Sequence, residues 1–286
     1  MKTYRLLPWL ALLAVAGCAA PDTPAGRDAP PAVADTAPSP ALLAAVNGPQ
    51  RSVANRARDA ARHPAETLAF FGVAPQAQVL ELAPGGGWYT EILAPYLHDQ
   101  GRLYAAHYAR DDARDEYRRN RAGFDAKLAA DPAQYGRVVV GTLPGSAFTD
   151  LRFDRPLDAV LTFRNLHNWL ADGTLDAKLR LFHDVLRPGG VLGVEEHRAT
   201  PGTPVERQIT SGYLTEALVI ERARAAGFEL AGRSEVNANP RDPHDHPQGV
   251  WSLPPTLRDA PAGSPARERA LAIGESDRMT LRFVRR

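Results

Sequence analysis

Val79-Leu-Glu-Leu-Ala-Pro-Gly-Gly-Gly-Trp-Tyr-Thr90 decides the fold. An apolar run ends in Gly85, Gly86 and Gly87 and resumes as helix-compatible sequence through Glu91, Ile92 and Leu93, so the stretch reads as strand, tight turn and helix. Glycine has no Cβ, so such a turn can take positive φ and let a ligand approach main-chain N–H groups at the start of the helix. A nucleotide-like group is held in this way. A purely structural turn between strand and helix uses the same residues.

Outward from this turn the chain alternates strand and helix patterns. Strands are expected at 79–83, 102–106, 137–141, 157–163, 190–195, 230–236 and 279–285, with helical patterns near 52–71, 88–97, 110–130, 173–186 and 212–226. Leu175, Leu179, Phe182 and Leu186 form one apolar stripe, closed by Arg187-Pro188-Gly189-Gly190. The alternation predicts a doubly wound α/β sheet in one domain, 41–286, without internal repeats. The helix over 110–130, dense in Arg and Asp, reads as solvated surface.

Glu81, Gly85 and Gly87 on strand 79–83 resemble motif I of the class I S-adenosylmethionine-dependent methyltransferases, with Ala83 in place of the first glycine. The Ala-Pro-Gly-Gly-Gly-Trp-Tyr turn, with the stretch Gly274 to Met279 (Gly-Glu-Ser-Asp-Arg-Met), is similar to a group of predicted bacterial methyltransferases. The resemblance covers residues 52–286 and implies a Rossmann-like, seven-stranded, mostly parallel sheet whose last strand is antiparallel and inserts beside the fifth. It implies S-adenosylmethionine as cofactor, held by Glu81, Ala83, Pro84, Gly85, Gly86, Gly87, Trp88 and Tyr89. The ribose would fall to the residue ending strand two, here His107 rather than the usual acid, and the adenine side to Thr142, again without the usual acid, with Asn165 nearby. In the final stretch, Asp277 and Arg278 are expected to pair at the entry to the last strand.

Ligands of open α/β sheets bind beyond the carboxyl ends of the strands, and there this chain is rich in histidine. His167 and His197 are candidates to take a proton from an oxygen or nitrogen nucleophile; a structural His167 between Asn165 and Trp169 stays open. Asn168, Trp169, Glu196, His244, His246 and Trp251 are candidates for substrate contact. Pro243-His244-Asp245-His246-Pro247 would, if extended, turn both imidazoles to one side. Imidazoles with a carboxylate such as Glu196 also suit zinc, iron or copper, but these residues lie too far apart in sequence to give a ligand spacing, and no metal is assigned. Arg62 and His63, ahead of strand one, are placed to meet the carboxylate of a bound amino acid, or to form a solvated helix face. Residues 237–265 hold seven prolines and Trp251 without a periodic pattern, which predicts an ordered lid over the crevice, built on Trp251, Leu253 and Leu257.

Residues 1–17 carry Lys2 and Arg5 ahead of an apolar segment, and Val15-Ala16-Gly17-Cys18 resembles a bacterial lipobox. Cys18, the only cysteine, would then be the lipidated first residue, which leaves no intrachain disulfide and no cysteine-based zinc site. Ala19 beside it resembles lipoproteins sent to the outer membrane, so the protein is expected at the periplasmic face of that membrane. Residues 18–40, mostly Ala, Pro, Asp and Thr, predict a disordered tether reaching up to ~70 Å if extended. Loss of the signal removes two of 34 basic residues and none of 33 acidic ones, so the domain is about neutral and no nucleic-acid partner is implied. Two readings follow. One is methyl transfer to a small molecule or peptide group of the envelope. The other is a non-catalytic or metal-binding envelope lipoprotein that keeps the fold.

Overall fold

The computed structural model describes Met1 and residues 37–286; the expected signal, Cys18 and the tether up to residue 36 lie outside the described residues. Seven strands form one sheet: β1 (Gln78–Leu82), β2 (Arg102–His107), β3 (Val139–Thr142), β4 (Leu157–Phe163), β5 (Leu186–His197), β6 (Phe228–Ser234) and β7 (Arg278–Arg285). Their order is β3-β2-β1-β4-β5-β7-β6. The first five run parallel, and β7 is antiparallel to both β5 and β6. This is the doubly wound sheet that the strand–helix alternation predicts, with the inserted antiparallel last strand that the resemblance implies.

β1 is covered on both faces, which explains its near-continuous apolar sequence. Val79 faces one core cluster with Phe70, Phe71 and Leu93, while Leu80 and Leu82 face the other with Phe182 and Leu192. The strand order reverses between β1 and β4, and that switch point sets where a crevice opens.

A helix not expected ahead of residue 52 spans Pro40–Asn47, and its cap Ser39 accepts from the Leu42 amide. Four further helices were not evident from periodicity: Pro132–Tyr135, Leu166–Ala171, Val205–Ser211 and Pro265–Ile273. The first three are four, six and seven residues long, too short to establish a 3.6-residue period. In the proline-rich segment, of the three residues expected to pack, Leu253 is buried and Trp251 and Leu257 are half-buried, and Val250 is buried in a 3-10 turn over Gly249–Ser252. Among the described residues no helix is long and apolar enough to cross a membrane.

One close approach fixes the helix Pro64–Phe71 against the sheet. A Cβ on Gly193 of β5 would stand 2.7 Å from the Phe71 ring and 2.8 Å from Leu161. Gly193→Val is expected to cost about 1–3 kcal/mol through overpacking. Thermal unfolding should show a midpoint drop of ~2–4 °C per kcal/mol; an unchanged midpoint would refute this packing.

Candidate functional site

The glycine turn uses three positive-φ residues, Ala83 at 43°, Gly85 at 57° and Gly87 at 79°. Ala83 therefore adopts the left-handed conformation that the usual glycine provides, at a cost of about 1–2 kcal/mol. A Cβ on Gly86 would meet nothing within 4 Å, and Gly86 lines the main cavity. Gly87 instead makes room for Phe124, which a Cβ there would approach to 3.2 Å.

His107 braces this turn. One ring nitrogen, Nε2, is 2.9 Å from the Gly85 carbonyl and the other, Nδ1, accepts from the Tyr108 amide at 2.7 Å. Accepting at Nδ1 requires the neutral ring, and burial pushes its pKa down to about 4. Both nitrogens are thus engaged with backbone, and His107 lines neither cavity, unlike the ribose contact expected of it. Two acidic residues a few positions further on line the crevice, Glu116 at the larger cavity and Asp112, whose carboxylate binds Arg114, at the smaller.

Two cavities, of about 560 and 460 Å³, open at the carboxyl edge of the sheet and share Tyr108, Tyr117, Asn165 and Asn168. The larger is bordered by the glycine turn, by the ends of β4 and β5 and by the proline-rich segment, through Trp251 and Arg258. The smaller reaches Leu143 beyond β3 and Trp169. Asn165 bridges them, donating to the carbonyls of Leu82 and Phe163, both at 3.2 Å.

His167 and His197 line the larger cavity together, their ring centroids 5.3 Å apart. Glu196, fully buried, binds His167 Nδ1 at 3.0 Å and accepts amides of Leu166 at 2.7 Å and His197 at 2.9 Å. With Nδ1 donating to the carboxylate, His167 Nε2 is the acceptor nitrogen, and it has no partner among the described residues. Trp251 stands edge-on to the His167 ring at 5.9 Å. His197 binds Ser276 Oγ through Nδ1 at 2.6 Å. Burial, then the charges of His167, Arg164, Arg278 and Arg62, hold it well below the ordinary histidine range, so it stays neutral.

Beneath these rings lies an arginine-carboxylate network. Glu195, fully buried, accepts from Arg164 at 2.8 Å, Arg278 at 3.0 Å and the Tyr89 hydroxyl at 3.1 Å. Glu275 binds Arg58 at 2.7 Å, Arg62 at 3.0 Å and Arg278 at 3.2 Å. Burial would raise the Glu275 carboxyl, but the guanidiniums of Arg62, Arg278 and Arg58 hold it at about 2. The Trp88 ring meets the Arg62 guanidinium of this network at 4.8 Å and that of Arg51, which pairs with Asp59 outside it, at 4.9 Å. Tyr89 stacks on Phe163 at 3.6 Å.

The sequence candidates divide clearly by position. Glu81, Ala83, Pro84, Gly85, Gly86, Trp88, Tyr89, Asn165, His167, Asn168, His197 and Trp251 converge on the larger cavity, with Glu196 directly behind His167. Trp169 lines the smaller one while packing on Phe182 at 5.5 Å. Thr142 spends its backbone on Thr149 and is outside both; Leu143, its neighbour, is the lining residue. His244 and His246 also lie outside. His244 binds Asp277 at 3.2 Å and His246 binds Asp242 at 2.8 Å, so both brace the proline-rich segment. The extended geometry expected for them fails because His244 has φ 63°. Asp277 and Arg278 do not pair with each other: Asp277 binds Arg198 at 2.9 Å, and Arg278 reaches Glu195 and Glu275. Arg164, Tyr108, Tyr117 and Arg258 are cavity residues that the sequence reading missed. Arg164 and Tyr108 each directly follow a strand's carboxyl end, the signal that would have found them.

His167, Glu196 and His197 each bring a ligand-type atom within 4.8 Å of the others. Glu196 is already saturated by amides and His167, and Arg62, Arg164 and Arg278 surround the pair with positive charge that opposes a metal cation.

No protein-family model and no curated protein matches this chain. Among solved structures, the (4+2) cyclase SpnF aligns at 19% identity with a TM-score of 0.55, over 85% of this chain and 92% of that one. A SAM-dependent methyltransferase from Aquifex aeolicus aligns at 19% identity and TM-score 0.48, over 63% of this chain and 87% of its own. The CcbJ methyltransferase from Streptomyces caelestis aligns at 17% and 0.48, over 85% and 98%. The SpnF likeness shows a shared fold. Since that protein is a cyclase, the fold does not by itself fix the chemistry.

Glu81 gives the site a pH signature. Its carboxyl accepts from Thr90 Oγ1 at 2.6 Å, and burial pushes its pKa from 4.5 up to about 7 despite that bond and the charge of Lys127. The native state therefore keeps a proton that the unfolded chain has released, and stability falls as pH rises from about 4.5 to about 7. Glu81→Gln keeps an acceptor for Thr90 and removes the ionisation. Denaturant titration should find the variant more stable than wild type at pH 8, by ~3 kcal/mol in order of magnitude, and equal to it near pH 4.5. The same pH slope in both proteins would exclude Glu81 as its source.

Proposed function

We propose that this chain is an S-adenosylmethionine-dependent methyltransferase acting on a small molecule or peptide group in the cell envelope. The observation that carries the reading is the placement of the open glycine turn and the Glu196–His167 pair on one cavity. The turn fits a nucleoside cofactor, because Gly86 presents backbone where a side chain would fill the cavity. Asp112 and Glu116 supply carboxylates near the position where the resemblance expects an acid for the ribose.

When bound, S-adenosylmethionine supplies an electrophilic methyl group on a sulfonium. The chain's own residues do the rest. His167 Nε2 takes the proton of an oxygen or nitrogen nucleophile, while Glu196 orients the ring and stabilises the imidazolium. His197, neutral, offers a hydrogen bond without a charge. Trp251 and its segment close one wall against water.

Cys18 and the apolar segment before it support a lipid anchor and a periplasmic location. A second reading is a lipoprotein that keeps this fold without catalysis, supported by the missing acid at His107; its metal-binding form draws on the donor atoms of His167, Glu196 and His197 within 4.8 Å, against which the occupied Glu196 and the neighbouring arginines weigh.

Calorimetric titration of the purified protein with S-adenosylmethionine and S-adenosylhomocysteine separates the two. Micromolar binding is expected, weakened at least ~100-fold in Gly86→Val, a loss of about 2.7 kcal/mol, with an unchanged melting temperature. Absence of binding together with one equivalent of metal in the purified protein would select the second reading. Separately, Cys18→Ser should shift the protein from the membrane to the soluble fraction and abolish incorporation of labelled fatty acid; retention in the membrane fraction counts against the anchor.

A further inference from the structure

The floor of the larger cavity carries more positive charge than its carboxylates balance. Arg58, Arg62, Arg164 and Arg278 face Glu195 and Glu275, the two carboxylates that they bind, so the network holds an excess of two positive charges. Three of these arginines, Arg58, Arg62 and Arg164, line the cavity. Their donors are incompletely used. Arg62, only 3% exposed, bonds Glu275 through Nε alone, leaving both terminal nitrogens without a hydrogen-bond partner among the described residues, while its guanidinium lies against the Trp88 ring. Arg164 bonds Glu195 through Nη1 alone, and the Nη2 of Arg58 is buried without a partner. Arg62 and Arg164 are close enough to repel: burial, then the Arg164 charge, bring Arg62 down to about 9. Arg164 is moreover held at φ 61°, a strained conformation for a residue with a side chain.

The buried, unpaired Arg58 Nη2 is costly unless an acceptor reaches it, and the free donors of Arg62 and Arg164 belong to side chains on the cavity wall, where an anion can take them. We infer that Arg58, Arg62 and Arg164 form an oxyanion subsite for the methyl acceptor, which is a small molecule bearing a carboxylate or phosphate group. The inference rests on the methyltransferase reading, and charge bookkeeping favours the acceptor over the cofactor as the source of the anion. S-adenosylmethionine brings a sulfonium and an ammonium against one carboxylate, so it adds to the positive excess. An acidic acceptor removes it, and the planar fork of arginine matches both carboxylate and phosphate oxygens. The subsite lies on the same cavity as His167, so an acceptor anchored there by its acid group presents its nucleophile to the base.

The test is thermal unfolding of the purified protein in sodium phosphate, sodium glutarate or sodium chloride at matched ionic strength, with and without saturating S-adenosylhomocysteine. Phosphate or glutarate at about ten times its dissociation constant should raise the melting temperature by roughly 3–6 °C over chloride. The rise should persist with S-adenosylhomocysteine bound and vanish in Arg62→Met and in Arg164→Met. Arg62→Met leaves Glu195 with its partners and Glu275 with Arg58 and Arg278, so this variant should melt no lower than wild type in chloride, whereas Arg164→Met removes a partner of the buried Glu195 and melts lower. A rise that disappears once S-adenosylhomocysteine is bound assigns the guanidiniums to the cofactor's own carboxylate and overturns the acceptor role. Equal melting in all three salts, or an undiminished rise in both variants, overturns the subsite. Calorimetry with S-adenosylhomocysteine keeps the two ideas apart: no binding there removes the methyltransferase reading and the acceptor role with it, while the salt comparison still reports whether the anion subsite exists.

Discussion

The buried Glu195 carboxylate is the interaction on which the site depends. It sits near the end of β5 and binds Arg164 after β4, Arg278 at the start of β7, and Tyr89 just after the glycine turn. Its backbone carbonyl also accepts from the Arg164 amide at 2.7 Å. Four segments far apart in sequence are thereby fixed relative to one another at the edge where the sheet reverses. The carboxylate is fully buried, so it is tolerable only because its cationic partners satisfy it, and they in turn depend on it. Removing one member of such a buried set costs on the order of 3–5 kcal/mol.

That interdependence explains what could be read from the chain and what could not. The strand, turn and helix around Gly85 are local, and so are the stripe Leu175, Leu179, Phe182 and the terminator at Pro188, so periodicity and turn chemistry are enough for a doubly wound sheet, while the antiparallel last strand beside the fifth follows only from the resemblance. The arginine network has no local signature. Arg62 looks like one charge on a polar helix, and Arg278 like a partner for its neighbour Asp277. Only the folded chain brings both to Glu275. His107 was misplaced for a similar reason: a residue at the end of β2 points at the crevice by rule, but the Gly85 carbonyl and the Tyr108 amide capture its two nitrogens. Ala83 was a departure from the motif in sequence only, since its backbone has the conformation a glycine would have had.

The neighbouring folds make the site, rather than the topology, the place to argue chemistry. A sheet like this one also occurs in a (4+2) cyclase. What distinguishes the present cavity is the combination of open glycine backbone, a carboxylate-held imidazole and a surplus of guanidinium charge.

The surplus charge also assigns the two histidines different work. A positive field lowers the pKa of any nucleophile brought into the cavity, which eases its deprotonation, and it opposes the appearance of a new cation beside the arginines. His197 has only the neutral hydroxyl of Ser276 as side-chain partner, so a proton on it would add an uncompensated charge, and it remains neutral. His167 is backed by Glu196 at 3.0 Å, so a proton accepted there forms an ion pair instead of a lone cation. Under the proposed methyl transfer, the same arginines that favour an acidic acceptor therefore leave His167 as the one imidazole among the described residues of this cavity wall suited to take its proton.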